Sequence, residues 1–483
     1  VLTDGQQRIT TTMLLLMALR DSIEDESYQA QIQRRYLQND RADDDTEYKI
    51  KLKQVETDWE AYKRLVLRGE VEASHKNSAV HQNYQYFLKA LAPMSDDEKK
   101  DLLEKGLAKF SIISIQLEPE RNPWENPQEV FESMNSLGKP LSLADLVRNY
   151  LLMGKSSQQQ TELYNEYWLS LEKRLPGQLS EFIRDWMQAD QHRSYKVARE
   201  NNYKELYSSF KEIVRGRSVE GLFGSFVRFS HPYALISGLE QTGIPRLDQV
   251  ISDLNVIGVA PAYSYLTEVL AAWEAKAMTD GSVISILTGI RTYLLRRRVL
   301  SLTQAENKFY PVLGSRLEEL LASENLIDTL FSQLSSQEYA LRIPNDDEMA
   351  SRLRIMNFYN LGRSNNYPRL LLSMAEESLT KSRPQWDDVK LQLEPIMPQK
   401  LNAAWKQALG GEAETVHQEF VNNVGNITLI RHNQELGNKA FVEKKATYEG
   451  QSGLQITQNR VVDRETWDEA SIRRRQDYLI HLF

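Results

Sequence analysis

The sequence predicts a helix-rich α+β protein of several domains, on three observations. Between residues 160 and 380, apolar side chains recur at helical spacing, with sparse glycine and proline breaks near Pro176-Gly177, Gly243-Ile244-Pro245 and Pro261, as in stacked amphipathic helices. Strand signals are short and scattered, at Val1–Thr3, Phe110–Leu117 and Val424–Ile430. The 483 residues, 41% hydrophobic and 26% charged, suffice for about two to four domains of ordinary composition.

Along the chain, Val1–Thr3 reads as a strand tail entering a turn at Asp4-Gly5, and a helix starts at about Gln6. From Met13 to Leu19 that helix is apolar on most sides, which marks a core helix. Residues 46–68 and 81–93 carry helical spacing, and the acidic stretch 41–47 reads as a loop. Phe110–Leu117 reads as a strand broken by Asn122-Pro123-Trp124, with a helix at about 127–134. Arg291–Leu302 reads as a helix with one aliphatic and one basic face. A linker is expected at Pro384, then turns, the strand at Val424–Ile430 and a helix from about Asn433. The chain opens at Val1 without methionine, so a native N-terminal segment is expected to precede it.

There is no cysteine, which excludes disulfides and thiolate zinc sites and fits a reducing, cytoplasmic setting. The longest apolar run, at Met13–Leu19, is too short to span a bilayer, and no secretory signal is visible. Net charge is −8, so any nucleic-acid footprint must be local. The candidates are Arg296-Arg297-Arg298 and Arg473-Arg474-Arg475, each of which also reads as a solvated helix face.

Three motifs carry candidate chemistry. In the first, Asp4-Gly5-Gln6-Gln7-Arg8, a glycine bend at a helix start exposes backbone N–H groups to an anion. Arg8 can fork onto a phosphate, Gln6 and Gln7 offer amides, Asp4 can hold a cation or a ribose hydroxyl, and Thr10 and Thr11 add hydroxyls. A simple Asp-Gly turn with a polar cap reads the same residues equally. In the second, Phe131–Ser142, Asn135 and Gly138 suit a helix exit and Ser142 an N-cap. Asp145, Arg148 and Asn149 follow, with Asp145 and Arg148 on one face. That face either completes a nucleotide pocket beside Arg8 or forms an internal salt bridge. The third comprises Glu394-Pro395-Ile396-Met397-Pro398-Gln399, then Gly425-Asn426-Ile427-Thr428-Leu429, then Asn433, Asn438, Phe441 and Lys444.

The first two motifs resemble the signatures of the GmrSD-type restriction endonucleases, modification-dependent (type IV) defence enzymes. The resemblance implies a first domain with a ParB/sulfiredoxin-like fold that binds and hydrolyses a nucleoside triphosphate (GTP, ATP or UTP) and senses modified DNA. The third motif is similar to the His-Asn-Asn (HNH) nuclease module of these enzymes, with a ββα-metal (His-Me finger) fold. Trp467, Ile472 and Arg475 also sit where the family tends to have Trp, Ile and Arg. Pro395 occupies the position of the family's catalytic histidine. His417 and His432 are the nearby histidines, and His432 either reaches the site or is a surface residue.

What the resemblance implies is a base at 395, an orienting Asn426, Glu394, Asn433 and Asn438 around one Mg²⁺, and Lys444 on a phosphate. The expected division is 1–240 for nucleotide binding and DNA sensing, 241–384 for a helical linker domain and 385–483 for the nuclease. The expected function is modification-dependent restriction of double-stranded DNA in phage defence, with nucleotide hydrolysis gating cleavage, as a possible homodimer. Because proline cannot accept a proton, cleavage is expected to be lost. The alternative is a nucleotide-gated DNA-binding protein with a degenerate nuclease domain.

Overall fold

The computed structural model describes residues 5–39, 41–42, 47–54, 56–114, 116, 130, 141–195, 203–302, 306–335, 341–359, 367–384, 391–430, 436–451 and 453–483. The chain divides into two compact units, Val1–Pro140 with Met153–Ser157, and Leu141–Leu152 with Gln158–Phe483.

In the first unit the described residues are mostly helical. Helix α1 (Gln6–Ser22) follows Gly5, whose φ of 85° is the left-handed bend expected at Asp-Gly. Its Leu14 and Leu16–Leu19 are buried, as the apolar run predicts. They pack with α2 (Glu26–Ile32), α3 (Glu56–Val66) and α4 (Ala79–Leu91) into one core. Arg20 is fully buried on α1. It donates to the carbonyls of Leu65 (2.8 Å) and Val66 (2.7 Å) at the end of α3, a cation on unsatisfied helix-terminal oxygens. Two expectations are corrected. Helix over 46–68 is confined to α3, with a single 3₁₀ turn at Glu47–Lys49. Phe110–Ser114 forms no strand and leaves Phe110, Ile112 and Ile113 exposed. A β-branched run becomes a strand only beside a hydrogen-bonded neighbour, and the described residues of this unit hold just one isolated bridge, Gln38 to Ile50.

The second unit is a helical stack that runs into a small hairpin. Helices α5 (Leu143–Leu152), α6 (Leu179–Gln191), α7 (Lys204–Val214) and α8 (Val219–Ile236) share an aromatic-rich core. A second core continues through α9 (Pro245–Ile257), α10 (Tyr263–Glu274), α11 (Asp280–Val299), α12 (Glu306–Gly314), α13 (Asp346–Ile355) and α14 (Tyr367–Thr380). That core reaches Val424, Ile427, Leu429 and Leu479 without a break. Buried Asp253 on α9 takes Arg291 of α11 (2.7 Å) and both Arg383 nitrogens (2.8 Å each). The segment after α14 is thereby fastened to the stack.

The basic run at the end of α11 is engaged inside the fold. Arg297 is fully buried, with its guanidinium 5.3 Å from the Tyr293 ring centroid. Arg296 donates to Pro344 O (2.8 Å) and pairs with Asp346. Arg298 donates to the carbonyls of Ile257 and Gly258 at the end of α9 (3.2 Å each).

A buried carboxyl on α10 is expected to make the stability of this unit depend on pH. Glu268 Oε2 lies 3.0 Å from His192 Nε2, and a Cβ on Gly314 would stand 2.4 Å from Glu268 Oε1. Burial raises the Glu268 pKa from 4.5 to about 7, against a lowering from His192. A carboxyl raised on folding contributes stability that is complete below 4.5 and is lost as pH climbs through about 7. Thermal stability is expected to decline from about pH 5 to about pH 8, and Glu268→Gln to flatten that decline. Melting both proteins across the window checks it, and an equal slope in the variant places the titration elsewhere.

Candidate functional site

The third motif converges on a two-stranded hairpin and one helix. Strand β1 (Gln392–Pro395) runs antiparallel to β2 (Ile427–Ile430), pairing Glu394 with Thr428 and Pro395 with Ile427. All of β2 is buried, as an apolar β-branched run packed on both faces should be. Proline, which lacks an N–H, closes β1, a position where a missing donor is tolerated. The next rung is made by Ile396 N donating to Asn426 O (2.9 Å). Helix α16 (Phe441–Gln451) follows.

Helix α16 is tied to β1 by a buried ion pair. Lys444 Nζ donates to Glu394 Oε1 (2.7 Å) and to Pro395 O (2.8 Å), with side chains 1% and 3% exposed. Burial raises the Glu394 pKa against the lowering by Lys444. Burial lowers that of Lys444 against the raising by Glu394. Each group is therefore displaced toward its neutral form. Held this way, Lys444 presents no solvent face to a phosphate and Glu394 none to a cation.

Asn426 is fully buried, and all four of its amide hydrogen-bonding positions are used. Its Oδ1 accepts from Met397 N (2.7 Å) and Trp467 Nε1 (3.0 Å), and its Nδ2 donates to Met397 O and Val421 O (2.9 Å each). It therefore fixes the backbone just beyond residue 395 and is not free to orient a side chain there.

Asn438 does not lie on a helix. Leu436–Asn438 is a turn, Gly437 has φ 40°, and α16 begins at Phe441, not near Asn433. The left-handed glycine cannot continue a helix. Asn438 is exposed, and its carbonyl accepts from Asn402 Nδ2 (2.6 Å). His417 Nε2 meets Pro398 O at 2.9 Å. Asn433 and His432 lie outside the described residues. Among the described residues no three His, Asp or Glu side chains group to hold a metal.

Helix α17 (Glu469–Leu482) backs the hairpin. Arg475, fully buried and with no carboxylate partner among the described residues, donates to Gly425 O (3.0 Å), Ile427 O (2.7 Å) and Val424 O (3.3 Å). Burial lowers its pKa to about 9. Gly425 has no room for a side chain, since a Cβ would stand 2.3 Å from Ile472 O. Arg473 and Arg474 are both exposed, and Arg473 pairs with Glu469 (2.7 Å) on its own helix and with Glu419 (3.0 Å) on helix α15 (Ala413–Phe420). Asn402, Asn423 and Glu376 escape sequence reading. Glu376 on α14 accepts Gln455 N and Ile456 N (2.9 Å each), a cap whose partners are too distant in sequence to leave a local signal.

The residues of the first two motifs are placed as follows. Asp4, Asn135 and Gly138 lie outside the described residues. Gln6, Gln7 and Arg8 are exposed on the first turn of α1, which has no side-chain cap. Thr10 is bonded to Gln54 (3.2 Å). Ser142 caps α5 by accepting Asp145 N (3.1 Å). Arg148 pairs with Asp145 (3.0 Å) and Glu172 (3.3 Å), and Asn149 is half-buried on the same helix. Arg8 belongs to the first unit, and Asp145, Arg148 and Asn149 to the second. No helix among the described residues is long and apolar enough to cross a membrane.

Comparison with known proteins addresses both ends of the chain. The family model for the N-terminal domain of GmrSD restriction endonucleases matches residues 1–152, and that for their C-terminal domain matches residues 343–482. No curated protein matches. With both domains present in order, and the C-terminal match spanning the hairpin, α16 and α17, the chain belongs to the GmrSD restriction endonuclease family.

Proposed function

We propose that this protein is a modification-dependent DNA endonuclease whose C-terminal part is an HNH-type, ββα nuclease module lacking its base. One observation carries the reading. Glu394, residue 395, Asn426 and Lys444, far apart in sequence, meet in one hydrogen-bonded hairpin-and-helix frame. Such a frame holds a strand end rigidly, which a catalytic group at that end requires. Position 395 is then the place of the general base, and proline there leaves the module without one. The cleavage-competent module would use Mg²⁺, with Asn438 and Asn433 as the amides nearest in sequence. The test is nicking of modified DNA in Mg²⁺ by the protein and by Pro395→His. Activity gained by the variant supports a base-deficient nuclease, while equal rates refute the assignment of the base position. A Pro395→His protein that binds modified DNA without nicking it favours a DNA-binding role.

We further propose that the first unit carries the ParB/sulfiredoxin-like nucleotide site, with GTP, ATP or UTP at Gly5–Arg8 gating the nuclease. The uncapped start of α1 supports this, since three exposed residues follow a left-handed glycine there and such a helix start suits phosphate. Arg8→Ala is expected to weaken nucleotide binding by about tenfold or more, the scale of one lost charge-assisted bond. Isothermal titration with each nucleotide checks it, and unchanged affinity removes Arg8 from the site.

A further inference from the structure

The residue two places before α17, Trp467, touches the hairpin-and-helix frame at the asparagine that also holds the end of β1. Trp467 Nε1 donates to Asn426 Oδ1, the oxygen that accepts Met397 N. The Trp467 ring stacks on Phe441 at the start of α16, with centroids 5.5 Å apart. Arg475 and Gln476 of α17 hold the same turn from behind, Arg475 through the carbonyls of Val424, Gly425 and Ile427, and Gln476 through Asn423 Oδ1 (2.9 Å). Gly425 lets α17 approach closely enough for these bonds.

We propose that Trp467 is a positioning residue of the nuclease site. Acting through Asn426, it sets where β1 ends and therefore where a base at residue 395 points. The proposal rests on the nuclease reading for its effect on cleavage, but not for its effect on the strand. Without the indole N–H, Asn426 keeps its bonds to Met397 and Val421 but loses one of the two donors on Oδ1, the oxygen that accepts Met397 N. The Met397 bond is then held less firmly, and the Ile396 rung beside it, which ends on the backbone carbonyl of the same residue, is expected to loosen with it. Arg475 is a poorer probe, since removing it would orphan several buried carbonyls at once and threaten the fold.

Trp467→Phe is the direct test, because phenylalanine keeps an aromatic ring beside Phe441 and removes the donor, and the smaller ring's loss of packing is what the control below accounts for. In the protein as it stands, hydrogen exchange of the Ile396 and Met397 amides is expected to quicken by about tenfold, with exchange in α14 unchanged. Ile472→Val, which thins the same helix without touching Asn426, serves as the control for general loosening. Unchanged exchange at 396 and 397, or equal acceleration in Ile472→Val, overturns the proposal whatever the protein's activity. In a Pro395→His background, Trp467→Phe is expected to lower kcat by roughly tenfold, within the cost of a small misplacement, and to leave KM unchanged. A change in KM alone overturns the positioning role. A Pro395→His protein that does not nick refutes the nuclease reading, and the exchange measurement still decides whether Trp467 sets the strand.

Discussion

Pro395→His is expected to raise Mg²⁺-dependent nicking of modified DNA by about a hundred- to ten-thousand-fold over the protein as it stands, the usual contribution of a positioned general base. The frame around the residue is already built without its side chain. Its carbonyl is held by Lys444, the following amide by Asn426 O, and the one after that by Asn426 Oδ1. None of these bonds uses the N–H that proline lacks, so the hairpin persists and histidine can enter the same backbone. Residue 395 is buried, and burial disfavours an imidazolium. The new histidine should therefore be neutral, and so a base, at neutral pH, with activity falling as acid protonates it. Pro395→Ala separates base chemistry from relief of the proline ring's constraint and is expected to remain at background. Plasmid nicking by the three proteins decides the matter. Equal activity of the alanine and histidine variants would mean that proline's geometry, and not the missing base, silences the site.

The same frame shows how far sequence reading reaches. The spacing of the third motif is legible in part: of the expected strand Val424–Ile430, Ile427–Ile430 is a strand and Val424–Asn426 a 3₁₀ turn, and two helices lie between β1 and β2 that the motif does not announce. The core helix at Gln6–Ser22 and the breaks of the helical middle are legible as well, because local propensity and burial agree there. The roles of individual side chains are not. The family resemblance puts Lys444 on a phosphate, whereas its ammonium lies inward against Glu394. An amide at position 426 serves equally to orient a histidine or to lock a backbone, and only the four bonds of Asn426 distinguish the two. The arginines at 296–298 show a basic face in projection. Their acceptors lie on other segments, at Pro344, Asp346, Ile257 and Gly258, and no periodicity reports them. Helix α16 starts later than the sequence suggests because Gly437 adopts a left-handed conformation that composition alone does not reveal.

Breaking the Glu394–Lys444 pair from one side is expected to cost stability heavily, whereas removing both charges is not. Lys444→Met leaves a buried carboxylate and an orphaned Pro395 carbonyl, a loss of about 3–5 kcal/mol by the usual cost of an unpaired buried charge. In Glu394→Gln/Lys444→Met both desolvation penalties disappear. Burial is the leading cause displacing each group toward its neutral form, so ionisation here is costly and its removal should return most of that loss, with the Pro395 carbonyl as the residue of the cost. Urea unfolding of the two single variants and the double closes the cycle, and a double variant no more stable than Lys444→Met contradicts the account. DNA binding supplies an independent reading. A lysine on a phosphate contributes about 0.9 to the slope of log affinity against log salt, so Lys444→Met should leave that slope unchanged if the ammonium is committed to β1. A pair that adds little net stability yet joins helix to strand end is suited to specifying geometry, and the matching loss should then appear as misplacement of residue 395. In the Pro395→His background, the double variant should therefore fold nearly as well as its parent and nick more slowly.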